Sequence, residues 1–209
     1  FASCCPGWVK YLEQAHPDMI KHLSSCKSPN SMMSPVLKEM LPKQQEGWKR
    51  EDIVVVSIMP CTAKKFEVKR DELKTGSTPD TDYVLTTQEL GRMIKEAGID
   101  FNTLESSCPD KHFGEYTGAG TIFGASGGVA EAAVRTAYEV ATGKDMPKVD
   151  VDGLRGVSNR SREVDLDLDG TKVTVRVVST MKEAERSLAE IKNGTAKFQL
   201  LEVMACPGG

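Results

Sequence analysis

Cysteines occur in three separated segments of the chain, and a proline lies beside a cysteine in each of them. The segments are Cys4-Cys5-Pro6-Gly7-Trp8, Met59-Pro60-Cys61-Thr62-Ala63-Lys64-Lys65-Phe66-Glu67 and Met204-Ala205-Cys206-Pro207-Gly208-Gly209. Thiolates are soft ligands that suit iron-sulfur clusters and other soft metal centres. Each segment lies at the edge of a predicted helix or strand, so folding can bring together thiols that are distant in sequence. The pattern is typical of a cluster-binding protein.

The six cysteines also admit a disulfide framework as an alternative. Six cysteines in 209 residues is a low density compared with small secreted proteins that depend on disulfides. The adjacent Cys4 and Cys5 cannot readily pair with each other. Cys26 and Cys108 lie outside the three segments, and free thiols of this kind usually behave as small hydrophobic groups. We therefore favour a metal or cluster site over disulfides.

The composition is that of an ordinary globular protein, with 39% hydrophobic residues, 27% charged residues and a formal net charge of -3. Like charges do not form long blocks, so the sequence gives no electrostatic reason to bind nucleic acid or an anionic membrane. It contains no run of about 18 apolar residues and no secretory hydrophobic segment. We therefore predict no nucleic-acid partner and no membrane partner. Targeting cannot be read from this segment, and a cytoplasmic location is our expectation.

Two predicted strands lead directly to cysteines. The β-branched run at residues 52–58 predicts a strand buried on both faces of a parallel sheet, and Cys61 follows its end. Residues 198–203 predict another buried strand, which Cys206 follows. Ligands of open α/β sheets bind beyond the carboxyl ends of the strands. An α/β fold would therefore place both thiols where such folds bind ligands.

Helix and turn signals complete the predicted arrangement. Pro6 predicts the first turn of a helix that runs to about Ala15, which places Cys4 and Cys5 at its N-terminus. The sequence predicts further helices from the capping box at 86–89, from Gly128 and from Met181, and a hairpin across Asp169-Gly170. The proline-rich segment 27–45 predicts broken helix or loop.

A glycine-rich stretch from Gly118 to Gly128 admits two interpretations. It contains Gly118-x-Gly120-x-x-x-Gly124, one residue away from the dinucleotide-binding fingerprint, but no ribose-binding acid follows at the expected spacing. Close packing of the backbone before a helix is the interpretation that we favour.

The three cysteine segments resemble the signature loops of the iron-only hydrogenase catalytic domain. Those loops read Thr-Ser-Cys-Cys-Pro-x-Trp, Met-Pro-Cys-x-x-Lys-x-x-Glu and Met-x-Cys-x-x-Gly-Cys. The first is matched with Ala2 in place of Thr, the second is matched in full, and the third is matched as far as Gly209. The resemblance extends through residues 23–29 and 118–128. It implies an α/β fold with two lobes of mostly parallel sheet, flanked by helices, with the metal site in the cleft between them.

The resemblance implies a cofactor in two parts. Cys5, Cys61 and Cys206 would be metal ligands of a [4Fe-4S] cluster. The fourth ligand would be a cysteine directly after Gly209, which would also bridge to a diiron subcluster with CO, cyanide and bridging dithiolate ligands. We therefore expect residues 1–209 to be part of a catalytic domain that continues at both ends, and to be inactive as an isolated segment.

The resemblance also implies roles for residues around that cofactor. Cys4 would be the proton donor to the catalytic centre, because the pKa of a thiol, ordinarily about 8.5, is easily lowered to near neutrality. Ser24 would relay protons to it. Lys64 would donate a charge-assisted hydrogen bond to a cyanide ligand. The remaining cofactor-binding residues would be Met59, Pro60, Ser28 and Met204, and Glu67 would be a structural acceptor.

The implied activity is reversible reduction of protons to molecular hydrogen. Ferredoxin or a similar electron carrier and the cofactor maturation proteins would be its partners. The alternative is a hydrogenase-like iron-sulfur protein that serves cluster assembly or hydrogen sensing without catalytic turnover. Such relatives are expected to lose the proton-donor thiol, and the assembly proteins also the Met-Pro-Cys-x-x-Lys environment. The presence of Cys4, Met59, Lys64 and Met204 favours the enzyme.

Overall fold

The structure is a computed structural model that describes residues 1–110, 113, 117–147, 153–156 and 160–207. The chain divides into two compact units. One unit combines Phe1–Cys26 with Tyr116–Gly209, and the other is Lys27–Glu115. The first and third cysteine segments therefore belong to one unit, and the second belongs to the other.

The described residues form seven α-helices and seven β-strands. The helices are α1 (Pro6–Ala15), α2 (Pro29–Gln44), α3 (Ala63–Glu67), α4 (Thr87–Glu96), α5 (Gly118–Ile122), α6 (Gly128–Thr142) and α7 (Met181–Lys192). The strands are β1 (Val56–Met59), β2 (Lys74–Thr75), β3 (Thr78–Pro79), β4 (Tyr83–Thr86), β5 (Ser161–Leu168), β6 (Thr171–Ser179) and β7 (Leu200–Met204). Short 3₁₀ helices cover Pro17–His22, Arg50–Asp52, Asp71–Leu73 and Phe101–Thr103.

Each unit contains a parallel strand pair. In the unit with Cys5 and Cys206, the strand order is β5-β6-β7, with β5 antiparallel and β7 parallel to β6. In the other unit, β1 pairs in parallel with β4, and β2 pairs in antiparallel with β3. The predicted α/β class is confirmed, and two antiparallel pairs accompany the parallel ones.

Helices cover both faces of the three-stranded sheet. One cluster of buried side chains joins α1 and α7 to it: Cys5, Trp8, Leu12, Met19, Val178, Ala184, Leu188, Leu201 and Val203. A second cluster joins α6 to it: Ala130, Val134, Met146, Leu154, Leu166, Val175 and Val177. Successive residues of a strand point to opposite faces, which is why the neighbours Val177 and Val178 belong to different clusters. The predicted burial of the last strand is confirmed.

The local signals of the sequence correspond to the observed turns and caps. The hairpin turns at Asp169 and Gly170, whose φ angles of 54° and 89° suit a tight two-residue turn. In the capping box of α4, the Glu89 N–H donates to the Thr86 hydroxyl at 3.1 Å, and the Thr86 N–H donates to the Glu89 carboxylate at 2.8 Å. The first helix spans Pro6–Ala15 as predicted.

The segment 27–45 corrects our expectation of broken helix or loop. It contains α2, a continuous helix of 16 residues that includes Pro35 and Pro42. Each of these prolines removes a backbone N–H from the helix. Tertiary contacts on the buried face help to hold the helix: Lys38 is 4% exposed, and its Nζ donates to the Pro79 carbonyl at 2.8 Å.

The strand before Cys61 corrects a second expectation, because it is not buried on both faces. Val54, Val56 and Ile58 are 61%, 48% and 41% exposed, whereas Val55 is 8% exposed. Among the described strands, β1 pairs with β4 alone. A β-branched run indicates a strand, but the neighbouring elements decide which of its faces are covered.

Two glycines at the start of α6 allow the close backbone packing that the sequence predicts. A Cβ atom on Gly127 would lie 1.9 Å from the Leu154 carbonyl oxygen, and one on Gly128 would lie 1.8 Å from the Ile122 carbonyl oxygen. Gly127 also has a φ of 86°. Gly118 and Gly120 lie within the helix α5, and Gly124 follows it. A dinucleotide fingerprint requires a strand and a turn at these positions instead.

The lack of space for a Cβ atom at Gly127 leads to a prediction that can be tested against a matched control. We expect Gly127→Ala to lower the free energy of unfolding by about 2–5 kcal/mol, since it combines left-handed strain with overpacking. Gly143, at the other end of α6, has a similar φ of 68°, but among the described residues no atom beyond its local backbone neighbours lies within 4 Å of its Cβ position. Gly143→Ala should therefore cost only about 1–2 kcal/mol. Urea unfolding of both variants measures the difference, and equal losses would contradict the close contact.

Candidate metal centre

The first cysteine segment lies at the N-terminus of α1, where Pro6 predicts a helix start. Cys5 is the N-cap residue in extended conformation, and it is 6% exposed. The backbone N–H of Ala205, from the third segment, donates to Cys5 Sγ at 3.3 Å. The first and third cysteine segments therefore meet within one unit.

The surroundings of Cys5 act on its charge in opposite directions. Burial raises the pKa of the Cys5 thiol, and the nearby Cys206 adds to the increase. Backbone N–H groups of Ala205, Trp8 and Gly7 lower the pKa, but burial has the larger effect. A buried thiolate that accepts several N–H groups is stable once a cation compensates its charge. This donor set fits a metal-bound sulfur.

The third segment follows β7 directly. Met204 is the last residue of the strand, and Cys206, two residues later, is exposed. A Cβ atom on Gly7 would lie 2.8 Å from the Ala205 Cβ, so a side chain at position 7 would push the two segments apart. The same spacing between strand end and cysteine occurs in the other unit, where β1 ends at Met59 and Cys61 is half-buried.

Ser24 lies in a turn that contacts the residues before Cys4. Its backbone N–H donates to the Phe1 carbonyl at 2.8 Å, and its hydroxyl accepts from the Cys26 N–H at 3.2 Å. The Ser3 hydroxyl donates to the Cys26 carbonyl at 2.6 Å. Ser24 is exposed, whereas Cys4 is half-buried. The turn and the first segment thus share one unit, and the relay role of Ser24 stays a prediction.

Lys64 and Glu67 form an ion pair in the second segment. The Lys64 Nζ donates to a Glu67 carboxylate oxygen at 2.9 Å, and the side chains are only 11% and 6% exposed. Both belong to α3, which begins just after Cys61. The pairing agrees with the predicted structural role of Glu67, and it holds the Lys64 ammonium close to the cysteine loop.

Ser28 has a structural role that the sequence analysis missed. It is the N-cap of α2, where its hydroxyl accepts from the Ser31 N–H at 3.3 Å, and it is 2% exposed. A serine directly before proline at the start of a helix is a signal for this role. The predicted contact of Ser28 with a cofactor, like those of Met59, Pro60 and Met204, stays a prediction.

The described residues contain no group of three or more His, Cys, Asp or Glu side chains placed to hold a metal ion. Of the three predicted ligands, Cys5 and Cys206 lie in one unit and Cys61 in the other. Their convergence on one site stays a prediction. All six cysteines are free, which agrees with the preference for a metal site over disulfides.

Sequence reasoning also missed the buried carboxylate of Glu202. It lies on β7, four residues before Cys206, and it is 1% exposed. Its oxygens accept the N–H groups of Gly127 at 2.8 Å and Ala130 at 2.6 Å. An acidic residue within an otherwise apolar strand was the available signal, because a buried charge needs a partner.

Comparison with known proteins supports the resemblance along the whole chain. Residues 1–209 match the protein family described as iron only hydrogenase large subunit, C-terminal domain. The chain is 44% identical over 209 residues to the periplasmic [Fe] hydrogenase large subunit of Nitratidesulfovibrio vulgaris, a match that covers 100% of this chain and 49% of that protein. It is 33% identical over 214 residues to a probable cytosolic Fe-S cluster assembly factor of Nematostella vectensis, covering 100% and 48% of the two chains.

The fold is similar to solved structures of the same kind. A variant of the [FeFe]-hydrogenase HydA1 from Chlamydomonas reinhardtii aligns with a TM-score of 0.83 and 35% identity, covering 100% of this chain and 59% of that one. The chain spans about half the length of the two curated relatives, the hydrogenase large subunit and the cluster assembly factor. Within the described residues, no helix is long and apolar enough to cross a membrane.

The raised pKa of Cys5 predicts how its thiol reacts in the metal-free chain. Thiolate is the reactive form, so half-maximal alkylation of Cys5 by iodoacetamide should require a higher pH in the folded chain than in urea. Because the pKa of Cys5 is higher in the folded chain, its thiol ionises at a lower pH in the unfolded chain. The contribution of the Cys5 thiol to the free energy of unfolding is therefore lost as the pH rises above about 8.5, the pKa of a cysteine in an unfolded chain. Peptide mass spectrometry across a pH series measures the rate. A midpoint at or below that in urea would contradict control by burial.

Proposed function

The chain belongs to the family formed by the C-terminal domain of iron-only hydrogenase large subunits, and we propose that the protein catalyses the reversible reduction of protons to molecular hydrogen. The observation that carries the proposal is the meeting of the first and third cysteine segments at the hydrogen bond between the Ala205 N–H and Cys5 Sγ. The complete Met-Pro-Cys-x-x-Lys-x-x-Glu motif from Met59 to Glu67 supports it.

Three thiolates of this chain would hold the cofactor. We assign Cys5, Cys61 and Cys206 as ligands of a [4Fe-4S] cluster, because thiolates are its usual protein ligands. The backbone N–H groups that donate to Cys5 would stabilise its bound thiolate. When bound, the diiron subcluster with CO, cyanide and bridging dithiolate ligands supplies the chemistry that joins two protons and two electrons as hydrogen.

The chain's own side chains would deliver protons and fix charge. Cys4 Sγ would hold the proton that is transferred, and the Ser24 hydroxyl would pass protons to it, since a hydroxyl both donates and accepts. The Lys64 ammonium would stabilise an anionic cofactor ligand, with Glu67 orienting it. Met59 and Met204, at the ends of β1 and β7, would pack against the cofactor together with Pro60 and Ser28.

Electrons would come from outside this chain. We propose ferredoxin or a similar carrier as the electron partner, and maturation proteins as the source of the diiron unit. Both concern the whole protein, and the cytoplasmic location likewise stays a prediction.

The second candidate function is iron-sulfur cluster assembly without turnover. The similarity to the cluster assembly factor of Nematostella vectensis favours it, because that protein is matched along the whole chain. Cys4 and Lys64 separate the two functions, since proton delivery and a cationic donor serve catalysis and have no use in a protein that only holds clusters.

The exchange of Cys4 tests the proposed activity in the full-length protein. Cys4→Ala should leave the iron content unchanged and lower hydrogen evolution by about 10²–10⁴-fold, the usual cost of losing a proton-transfer group. Cys5→Ala, the matched control at the neighbouring position, should reduce the iron content. Iron per protein and hydrogen evolution are measured side by side. Equal iron loss in both variants would make Cys4 a ligand, and full activity of Cys4→Ala would remove it from the mechanism.

A double-mutant cycle separates the two roles of Lys64. Lys64→Met leaves the buried Glu67 carboxylate without this cation and should cost about 3–5 kcal/mol of stability. Adding Glu67→Gln removes the uncompensated charge and should recover much of that stability, as thermal unfolding measures. Lys64→Met should also lower hydrogen evolution. Activity should stay low in the double variant, because the cofactor still lacks its cationic donor. Recovery of activity along with stability would show that Lys64 serves only Glu67.

A further inference from the structure

The helix α6 begins with a glycine that cannot cap it. Gly127 is the N-cap residue, and it has no side chain to accept a hydrogen bond from the first turn. A residue with a side chain cannot replace it, because a Cβ would lie 1.9 Å from the Leu154 carbonyl oxygen. The free N–H groups of the first turn therefore need an acceptor from another part of the fold.

Glu202 is that acceptor. One carboxylate oxygen accepts the N–H of Gly127 at 2.8 Å, and the other accepts the N–H of Ala130 at 2.6 Å. Glu202 is 1% exposed. Both oxygens are thus engaged by the helix N-terminus, whose dipole also favours a negative charge. The carboxylate links β7 to α6 as a cap supplied from a distant strand.

Among the described residues, the guanidinium of Arg162 is the charged group that acts on the Glu202 carboxylate. Burial raises the pKa of Glu202, and the N–H groups of Ala130 and Gly127 and the guanidinium of Arg162 on β5 lower it. Arg162 also donates to the Leu154 carbonyl at 3.3 Å and the Ser126 carbonyl at 3.3 Å. Glu131, on the first turn of α6, pairs instead with Arg135 and Arg155. The cap therefore rests mainly on hydrogen bonds to the backbone.

The strand that contains Glu202 ends within the third cysteine segment, which contacts the first. Two residues after Glu202, β7 ends at Met204, and the next residue, Ala205, donates its N–H to Cys5 Sγ. The Ala205 side chain also faces the position where Gly7 lacks one. A shift of β7 along its own direction would change this N–H···S contact and the position of Cys206.

We propose that Glu202 is a positioning residue for the cluster ligands, because its carboxylate fixes the end of β7 against α6 and thereby holds the Ala205 N–H on Cys5 Sγ. Its value for catalysis rests on the proposed function; its effect on the Ala205–Cys5 contact does not. Hydrogen bonds to ligand sulfurs tune the potential of iron-sulfur clusters. Glu202 would thus influence the cluster without touching it.

Hydrogen exchange of the full-length protein in its metal-free form tests the positioning directly. Glu202→Gln keeps the shape but replaces one acceptor oxygen by an NH₂ group, so one N–H of α6 loses its partner. We expect exchange of the peptide that contains the Ala205 amide to become at least about 10-fold faster, the equivalent of one hydrogen bond to a charged group. The matched control is Glu131→Gln, another carboxylate that is 1% exposed on α6. Glu131→Gln should destabilise the unit as a whole. It should therefore increase exchange of the Ala205 peptide no more than it increases exchange of the β6 peptides.

Equal acceleration at Ala205 in both variants would overturn the proposal. If Glu202→Gln does not fold, Glu202→Asp keeps both oxygens on a shorter stem, and it should accelerate Ala205 by a smaller factor. An Asp variant with exchange like wild type throughout would also count against positioning.

The consequence for the cluster is measured in the full-length protein after anaerobic reconstitution. Glu202→Gln should give a more negative midpoint potential and an altered electron paramagnetic resonance signal, since a weakened N–H···S bond stabilises the reduced cluster less. Glu131→Gln should leave both unchanged. A wild-type protein that binds no cluster would refute the proposed function alone, and the exchange data would still decide the role of Glu202. If both variants bind a cluster with the same midpoint potential and the same resonance signal, Glu202 does not influence the cluster.

Discussion

The hydrogen bonds between the buried Glu202 carboxylate and the N-terminus of α6 are the interaction on which we propose that the arrangement of Cys5 and Cys206 depends. The carboxylate accepts the N–H groups of Gly127 and Ala130. The N-cap glycine has no side chain to accept a hydrogen bond, and a close approach of two backbones requires a glycine there. Burying a charge is costly unless hydrogen bonds compensate it, so the strand and the helix are held together specifically. The hydrogen-bonded ladder with β6 fixes the register of β7, and the two hydrogen bonds from the N-terminus of α6 add a directional link to that helix.

The cysteine end of the same unit shows a second compensation of charge. Cys5 is buried in an apolar cluster with Trp8 and Leu12, yet its sulfur receives backbone N–H groups from the start of α1 and from Ala205. Without a metal, burial prevails and favours the neutral thiol. A bound cation would reverse that balance, and the same N–H groups would then stabilise the thiolate. The metal-free fold therefore already supplies the N–H groups that would stabilise a thiolate at Cys5.

The other unit relies on paired charges around its loops. Lys64 and Glu67 compensate each other next to Cys61, and Lys38 pairs with Asp82 at 2.7 Å beside β4. Such pairs stabilise the fold by less than their Coulomb energy suggests. The loss of one partner nevertheless lowers the free energy of unfolding, because it leaves a buried charge without compensation. The loop that carries Cys61 is therefore sensitive to substitutions that do not change the cysteine itself.

The sequence by itself determined the α/β class, the first helix, the capping box of α4, the hairpin at Asp169-Gly170 and the strands before Cys61 and Cys206, because each of these depends on neighbours within a few residues. The same local patterns led to the family. Only the tertiary structure decided that α2 continues through its prolines and that one side of β1 is exposed. It alone paired Glu202 with Gly127, which is 75 residues away. These outcomes depend on contacts between distant segments, which leave no periodic signal in either segment, and so local patterns could not predict them.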